Sequence, residues 1–110
     1  TVIKGKILDV ALDLRKNSKT FGKVFKIILS DKNCKSLYLP PHFAHGFCAL
    51  EKENYVIYST TKYRHSKSEI GILYNDKNLG IKWPVKAPIL SKKDKKNIYF
   101  SDFKKRYLDK

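Results

Sequence analysis

Between Leu37 and Leu50 the chain reads Leu-Tyr-Leu-Pro-Pro-His-Phe-Ala-His-Gly-Phe-Cys-Ala-Leu, two apolar, strand-like runs separated by a pair of prolines. Proline has no N–H to give to a sheet ladder, so a strand that reaches Pro40-Pro41 must stop and can resume only beyond them. The resumed run surrounds His45, a titratable group among apolar residues, and that placement marks a candidate site.

The rest of the chain follows the same pattern of short strands. Lys6 to Arg15 is rich in strand formers, Lys16 to Gly22 supplies a polar turn closed by glycine, and Lys23 to Leu29 returns, so the two runs read as antiparallel neighbours. Ser30 to Lys35 is a further turn. Short strands are expected at Ser36–Leu39 and Gly46–Leu50 and a longer one at Asn54–Tyr63, where alternation puts Tyr58 on one face. Strands at this spacing imply an all-β sandwich or barrel. Only the end reads as helical: Ser91 stands at an N-cap position with Asp94 three residues on, which predicts a short helix from Ser91 to about Asn97. The expected organisation is one domain, with residues 1–90 as the β body and 91–110 as the helix and a Lys-rich tail.

Composition narrows the function classes. With 42% hydrophobic residues in 110, the chain can build a core. No apolar run approaches the roughly 20 residues needed to cross a bilayer, and Thr1-Val-Ile-Lys-Gly lacks the order of a signal peptide, so a soluble, cytoplasmic protein with no membrane partner is expected. Cys34 and Cys48 form neither a disulfide framework nor a C-x-x-C motif. The net charge of +14 is mostly lysine, and a third of the excess sits in the last twenty residues. It suits an anionic ligand such as a sugar diphosphate; nucleic acid is not expected, since Arg15, Arg64 and Arg106 are the only arginines and no nucleic-acid-binding motif is present.

Each candidate side chain also has a plain structural role. His45 by itself would be a hydrogen-bonded structural histidine, Tyr58 a strand aromatic, and Asp94 a first-turn acid favourable to the helix dipole. His42 and His45 form H-x-x-H, but that spacing in a proline turn does not turn both rings to one helix face, so no metal is expected. His65, in a polar loop, reads as a surface residue.

Five ordered blocks carry a resemblance: Asp9-Val-Ala-Leu-Asp-Leu-Arg-Lys-Asn-Ser-Lys-Thr-Phe-Gly22, Leu39-Pro-Pro-His-Phe-Ala-His-Gly-Phe47, Gly71-Ile-Leu-Tyr-Asn-Asp76, Leu79-Gly-Ile-Lys-Trp-Pro84 and Pro88-Ile-Leu-Ser-Lys-Lys-Asp94. Together they resemble the dTDP-4-dehydrorhamnose 3,5-epimerase family, in register from Gly5 to Asp94. The resemblance implies a cupin-like jelly roll, a homodimer, a nucleotide-linked 4-keto-6-deoxy sugar as substrate, and epimerisation beside a ketone with neither metal nor redox cofactor. It matches Tyr58 to the family's catalytic acid, Asp94 to the aspartate that orients the base histidine, and His45 to a histidine beside the sugar. Tyr63 and Glu69 match further substrate-side positions. It also places the base histidine, in an R-G-L-H motif, upstream of Thr1, so the chain is expected to be the C-terminal part of an epimerase and its jelly roll to lack N-terminal strands. The competing expectation is a non-catalytic jelly-roll remnant that binds a nucleotide sugar or a partner chain.

Overall fold

Strand formers and turn residues organise two antiparallel sheets in a computed structural model that describes residues 1–109. The strands are β1 (Val2–Lys4), β2 (Lys6–Asp13), β3 (Val24–Ser30), β4 (Phe43–Ala49) and β5 (Tyr55–Val56). β2 lies at the centre of a three-stranded sheet between β3 and β4, while β1 and β5 form a second, two-stranded sheet. Gly5 makes the passage from one sheet to the other at φ +91, in the left-handed region where a side chain is strained, and a Cβ there would stand 2.4 Å from the Glu53 carbonyl oxygen.

The turn between β2 and β3 is built around one carboxylate. Asp13 is buried, and its oxygens accept from Arg15 Nε at 3.0 Å, Arg15 Nη2 at 2.9 Å, Ser18 Oγ at 2.9 Å and Thr20 Oγ1 at 2.5 Å. The guanidinium beside it, with these hydroxyls, holds the Asp13 carboxyl far below the usual carboxylate range. A buried charge is tolerated only with such partners, which explains why Asp13, Arg15, Ser18 and Thr20 occur together in the sequence.

Register sorts the side chains of the larger sheet into two faces. Ile7, Asp9 and Ala11 lie opposite Leu29, Ile27 and Phe25 of β3 and opposite Ala49, Phe47 and His45 of β4. This face turns toward β1 and β5, because Ile7 and Leu29 join Val2 in one buried cluster with Val56 packed against it. The other face, carrying Leu12, is covered by the C-terminal segment: Phe100 and Phe103 of the short helix α2 (Phe100–Phe103) close on Leu12 in a second cluster. Asp76, also buried, ties that segment down by accepting from the Phe100 N–H at 2.7 Å.

The antiparallel pairing of β2 with β3 and the intervening turn follow the sequence expectation. Two strand expectations do not hold. Ser36–Leu39 is irregular, since Cys34 takes φ +52 just before it and the prolines close it off, although Leu37 still packs on the first cluster. The Asn54–Tyr63 strand shrinks to Tyr55–Val56, because among the described residues its partner is three-residue β1, and the pairing ends at Ile57, which exchanges backbone hydrogen bonds with Thr1 at the chain's first residue. β4 begins at Phe43, three residues before Gly46, because β2 extends far enough for Asp13 to pair with Phe43. The helix expected after Ser91 is α1 (Lys92–Lys95), and the Ser91 hydroxyl accepts from the Asp94 N–H at 3.1 Å.

Candidate active site

β4 carries His45 on the same face as Asp9. Ala11 lies directly across from His45 and Asp9 is two residues along, so the imidazole reaches diagonally to the carboxylate and His45 Nε2–H donates to Asp9 Oδ1. The Asp9 side chain is only 7% exposed and that of His45 is 39% exposed. A buried carboxylate therefore grips one edge of a ring whose other edge reaches solvent, and that grip fixes which nitrogen carries the proton in the neutral imidazole.

Beside β4, over the sheet face that carries Val10 and Leu12, lies a cavity of about 790 Å³. Its lining takes in every residue from Ala44 to Ala49 on one side and Ile70–Tyr74 and Ala87–Leu90 on the other. Trp83 helps wall it, anchored by its indole N–H to the Tyr74 carbonyl at 2.8 Å. His45 and Asp94 both border this cavity, so two residues 49 positions apart in sequence meet at one space. Asp94 sits in the first turn of α1, where Asn97 Nδ2 donates to its Oδ1 at 3.4 Å.

Glu69 lies outside the cavity lining but is tied to its wall. Its carboxylate accepts from Arg64 Nε and Nη2 and from Lys93 Nζ, the neighbour of Asp94. The hydrogen bonds from Arg64 and then Lys93 lower the Glu69 carboxyl to about 2. Tyr58 is 80% exposed and stands close enough to Arg64 to contribute, after Glu69, to raising that guanidinium above its usual value. Tyr63 is fully exposed. The structure thus gathers His45 and Asp94 at the cavity, joins Glu69 to it through Lys93, and leaves Tyr58 and Tyr63 at the surface. Among the described residues no three His, Cys, Asp or Glu side chains converge as a metal site.

Sequence reasoning missed Asp9 as a site residue, along with Arg64, Lys93 and Asn97. One signal for Asp9 was present: a carboxylate in the apolar run Ile7-Leu-Asp-Val-Ala-Leu12 must find a partner when that run is buried.

Residues 1–102 match the protein family described as dTDP-4-dehydrorhamnose 3,5-epimerase. The protein of that name from Shigella flexneri is 46% identical over 92 residues, covering 84% of this chain and 51% of the relative. The crystal structure of the epimerase from Bacillus anthracis, with TDP and PPi bound, superposes with a TM-score of 0.88 at 44% identity, covering 90% of this chain and 57% of that one. The dTDP-6-deoxy-D-glucose-3,5-epimerase of Legionella pneumophila, solved in complex with dTDP-4-keto-L-rhamnose, superposes with a TM-score of 0.78 at 35% identity, over 90% of this chain and 53% of that one. These likenesses establish the expected cupin-like, mostly antiparallel β fold with a short C-terminal helix. The chain spans about half the length of the relatives it matches.

Proposed function

The chain belongs to the dTDP-4-dehydrorhamnose 3,5-epimerase family, and from that premise we propose that it furnishes part of the site that converts dTDP-4-dehydro-6-deoxy-D-glucose to dTDP-4-dehydro-L-rhamnose. The observation that carries this reading is the meeting of His45, held by Asp9, with Asp94 at one cavity. The chemistry removes a proton from a carbon beside the ketone, holds the resulting charge as an enolate, and returns a proton to the opposite face. Asp94 orients the base imidazole and supports its protonated form. His45, with its tautomer set by Asp9, hydrogen-bonds the sugar beside the reacting carbons. Tyr58 supplies the returning proton, and Tyr63 and Glu69 contact the substrate. The excess of positive charge favours the nucleotide diphosphate. Neither metal nor redox cofactor takes part. The protein works as a cytoplasmic homodimer in deoxysugar and surface-polysaccharide synthesis; among the described residues no helix is long and apolar enough to cross a membrane.

Proton NMR of dTDP-4-keto-6-deoxyglucose in deuterated water tests the reading. The chain joined to the unmatched half of the Shigella relative is expected to exchange the protons at both carbons flanking the ketone. Binding of the sugar nucleotide without any exchange would instead establish a non-catalytic binding module, the reading favoured by the exposure of Tyr58 away from the cavity.

A further inference from the structure

Where β2 runs into its turn toward β3, a second cleft of about 550 Å³ opens, lined by Leu14 to Ser18, His42 and Leu108. Among the described residues its wall carries Arg15, Lys16 and His42 and no carboxylate, and it shares no residue with the cavity that His45 and Asp94 border. Its volume falls within the range of small-molecule sites.

The polar groups of this cleft are held in place by contacts outside it. Asp13 takes the Nε and Nη2 hydrogens of Arg15 at 3.0 and 2.9 Å, and the guanidinium lies over the Phe43 ring, 4.8 Å from its centroid. Both contacts fix the plane of the guanidinium and leave Nη1 as its remaining nitrogen. Lys16 Nζ donates to the Leu108 carbonyl, which holds the ammonium between the turn and the C-terminal segment with two further N–H groups to give. His42 takes φ +68, in the left-handed region that residues other than glycine seldom occupy, and its carbonyl accepts from the Leu14 N–H at 3.0 Å. Backbone outliers of this kind gather at ligand sites, and this one puts an imidazole on the cleft wall. Asn17 and His42 are both exposed.

Charge and shape give the class of ligand. Asp13 neutralises Arg15 but leaves Lys16 uncompensated, and Lys19 and Lys23 follow in the same turn. Lys104, Lys105 and Arg106 stand in the helical turn Lys104–Leu108 that brings Leu108 to the cleft, against Asp102 and Asp109 as the acids of that segment. Cations around a concave site concentrate anions in it. Single-stranded nucleic acid asks for a long groove with aromatic stacking platforms, whereas no Phe, Tyr or Trp lines this cleft among the described residues. We infer that the cleft binds a small, soluble, phosphorylated anion the size of a diphosphate. Lys16 and Arg15 Nη1 pair with its phosphoryl oxygens, while Asn17 from the turn after β2 and His42 from the turn before β4 donate to it. The assignment takes nothing from the proposed reaction, and loss of either leaves the other standing.

The test titrates the 110-residue chain with inorganic pyrophosphate at constant ionic strength and follows its amide and side-chain NMR resonances. Saturable shifts are expected at Leu14 to Ser18 and at His42, with sulfate bound roughly 10-fold more weakly because it carries less charge. Asn17→Asp puts a carboxylate into the cleft at unchanged side-chain size, and Lys16→Gln removes the ammonium. Each should weaken pyrophosphate by roughly 10-fold or more, the worth of one hydrogen bond to a charged group. Lys19→Gln, outside the lining, should change affinity by less than about 2-fold, since an exposed charge at a distance is screened. Unmoved amides of β2 and β4 in either cleft variant show that its fold is intact. Absence of saturable shifts, shifts confined to cavity residues such as Gly71 and Asp94, an equal response to sulfate, or full binding in both cleft variants would overturn the inference. Sedimentation with phosphatidate vesicles that pyrophosphate fails to displace would overturn the choice of a soluble ligand over a lipid headgroup.

Discussion

Asp9 and His45 are separated by 36 positions in the chain, yet their contact is the most specific chemical feature of the fold. The carboxylate accepts from Nε2–H, so the neutral ring should carry its proton on that nitrogen. Ring ¹⁵N shifts are expected to show one dominant tautomer for His45 and a mixture in Asp9→Asn, because an amide can either donate or accept; identical spectra would remove Asp9 as the positioning residue. Tyr58 carries the acid role in the proposed reaction. In the chain joined to the unmatched half of the Shigella relative, Tyr58→Phe should reduce net epimerisation by about 100-fold or more while proton exchange into substrate persists, since the base is untouched. Equal loss of both rates in the NMR assay would reject the acid role.

At the scale of elements, α1 holds Asp94 through contacts made elsewhere. Gly71 lies so close to Asn97 that a Cβ at that position would fall 2.2 Å from its Oδ1, and Asn97 in turn donates to Asp94. Gly71→Ala is expected to push the amide off Asp94 and to destabilise the Ile72–Ile98 bridge by about 1–3 kcal/mol, read as a lowered unfolding midpoint with shifted Asp94 and Asn97 resonances. Glu69 staples the same region to the Arg64 loop. Its carboxyl is lowered to about 2 from an ordinary 4.5, so the unfolded chain binds the proton more readily. Its stabilising contribution is therefore fully present above about pH 4.5 and fades as pH falls toward 2. Denaturant midpoints measured from pH 6 to 2 should fall less steeply in Glu69→Gln than in the parent. Asp13, also lowered, keeps a slope in both proteins below its ordinary value of 3.8.

The whole molecule depends on the passage between its two sheets. Gly5 makes that passage with positive φ and no room for a Cβ against the Glu53 carbonyl, so Gly5→Ala should cost about 2 kcal/mol or more, visible as a fall in Tm. A change near zero would mean that the two sheets do not depend on one another. The same connection holds Val2 over Ile7 and Leu29, which keeps β1 and β5 on the face that carries the Asp9–His45 pair.

What local sequence determines is the inventory of parts. Alternation marks β2 and β3, Asp13-Leu-Arg15 with Ser18 and Thr20 specifies the turn between them, the prolines end the run before β4, and Ser91 starts α1, each through residues a few positions apart. The five blocks that resemble the family made His45 and Asp94 legible as well. Tertiary structure decided the rest, because those features depend on partners distant in the chain. Asn54–Tyr63 has strand composition throughout but pairs only where β1 lies beside it. Phe100 and Phe103 fold as helix in a Lys-rich tail because Leu12 offers them a surface to bury against. Asp9 reads as one carboxylate in an apolar strand until β4, aligned on β2, places an imidazole within its reach.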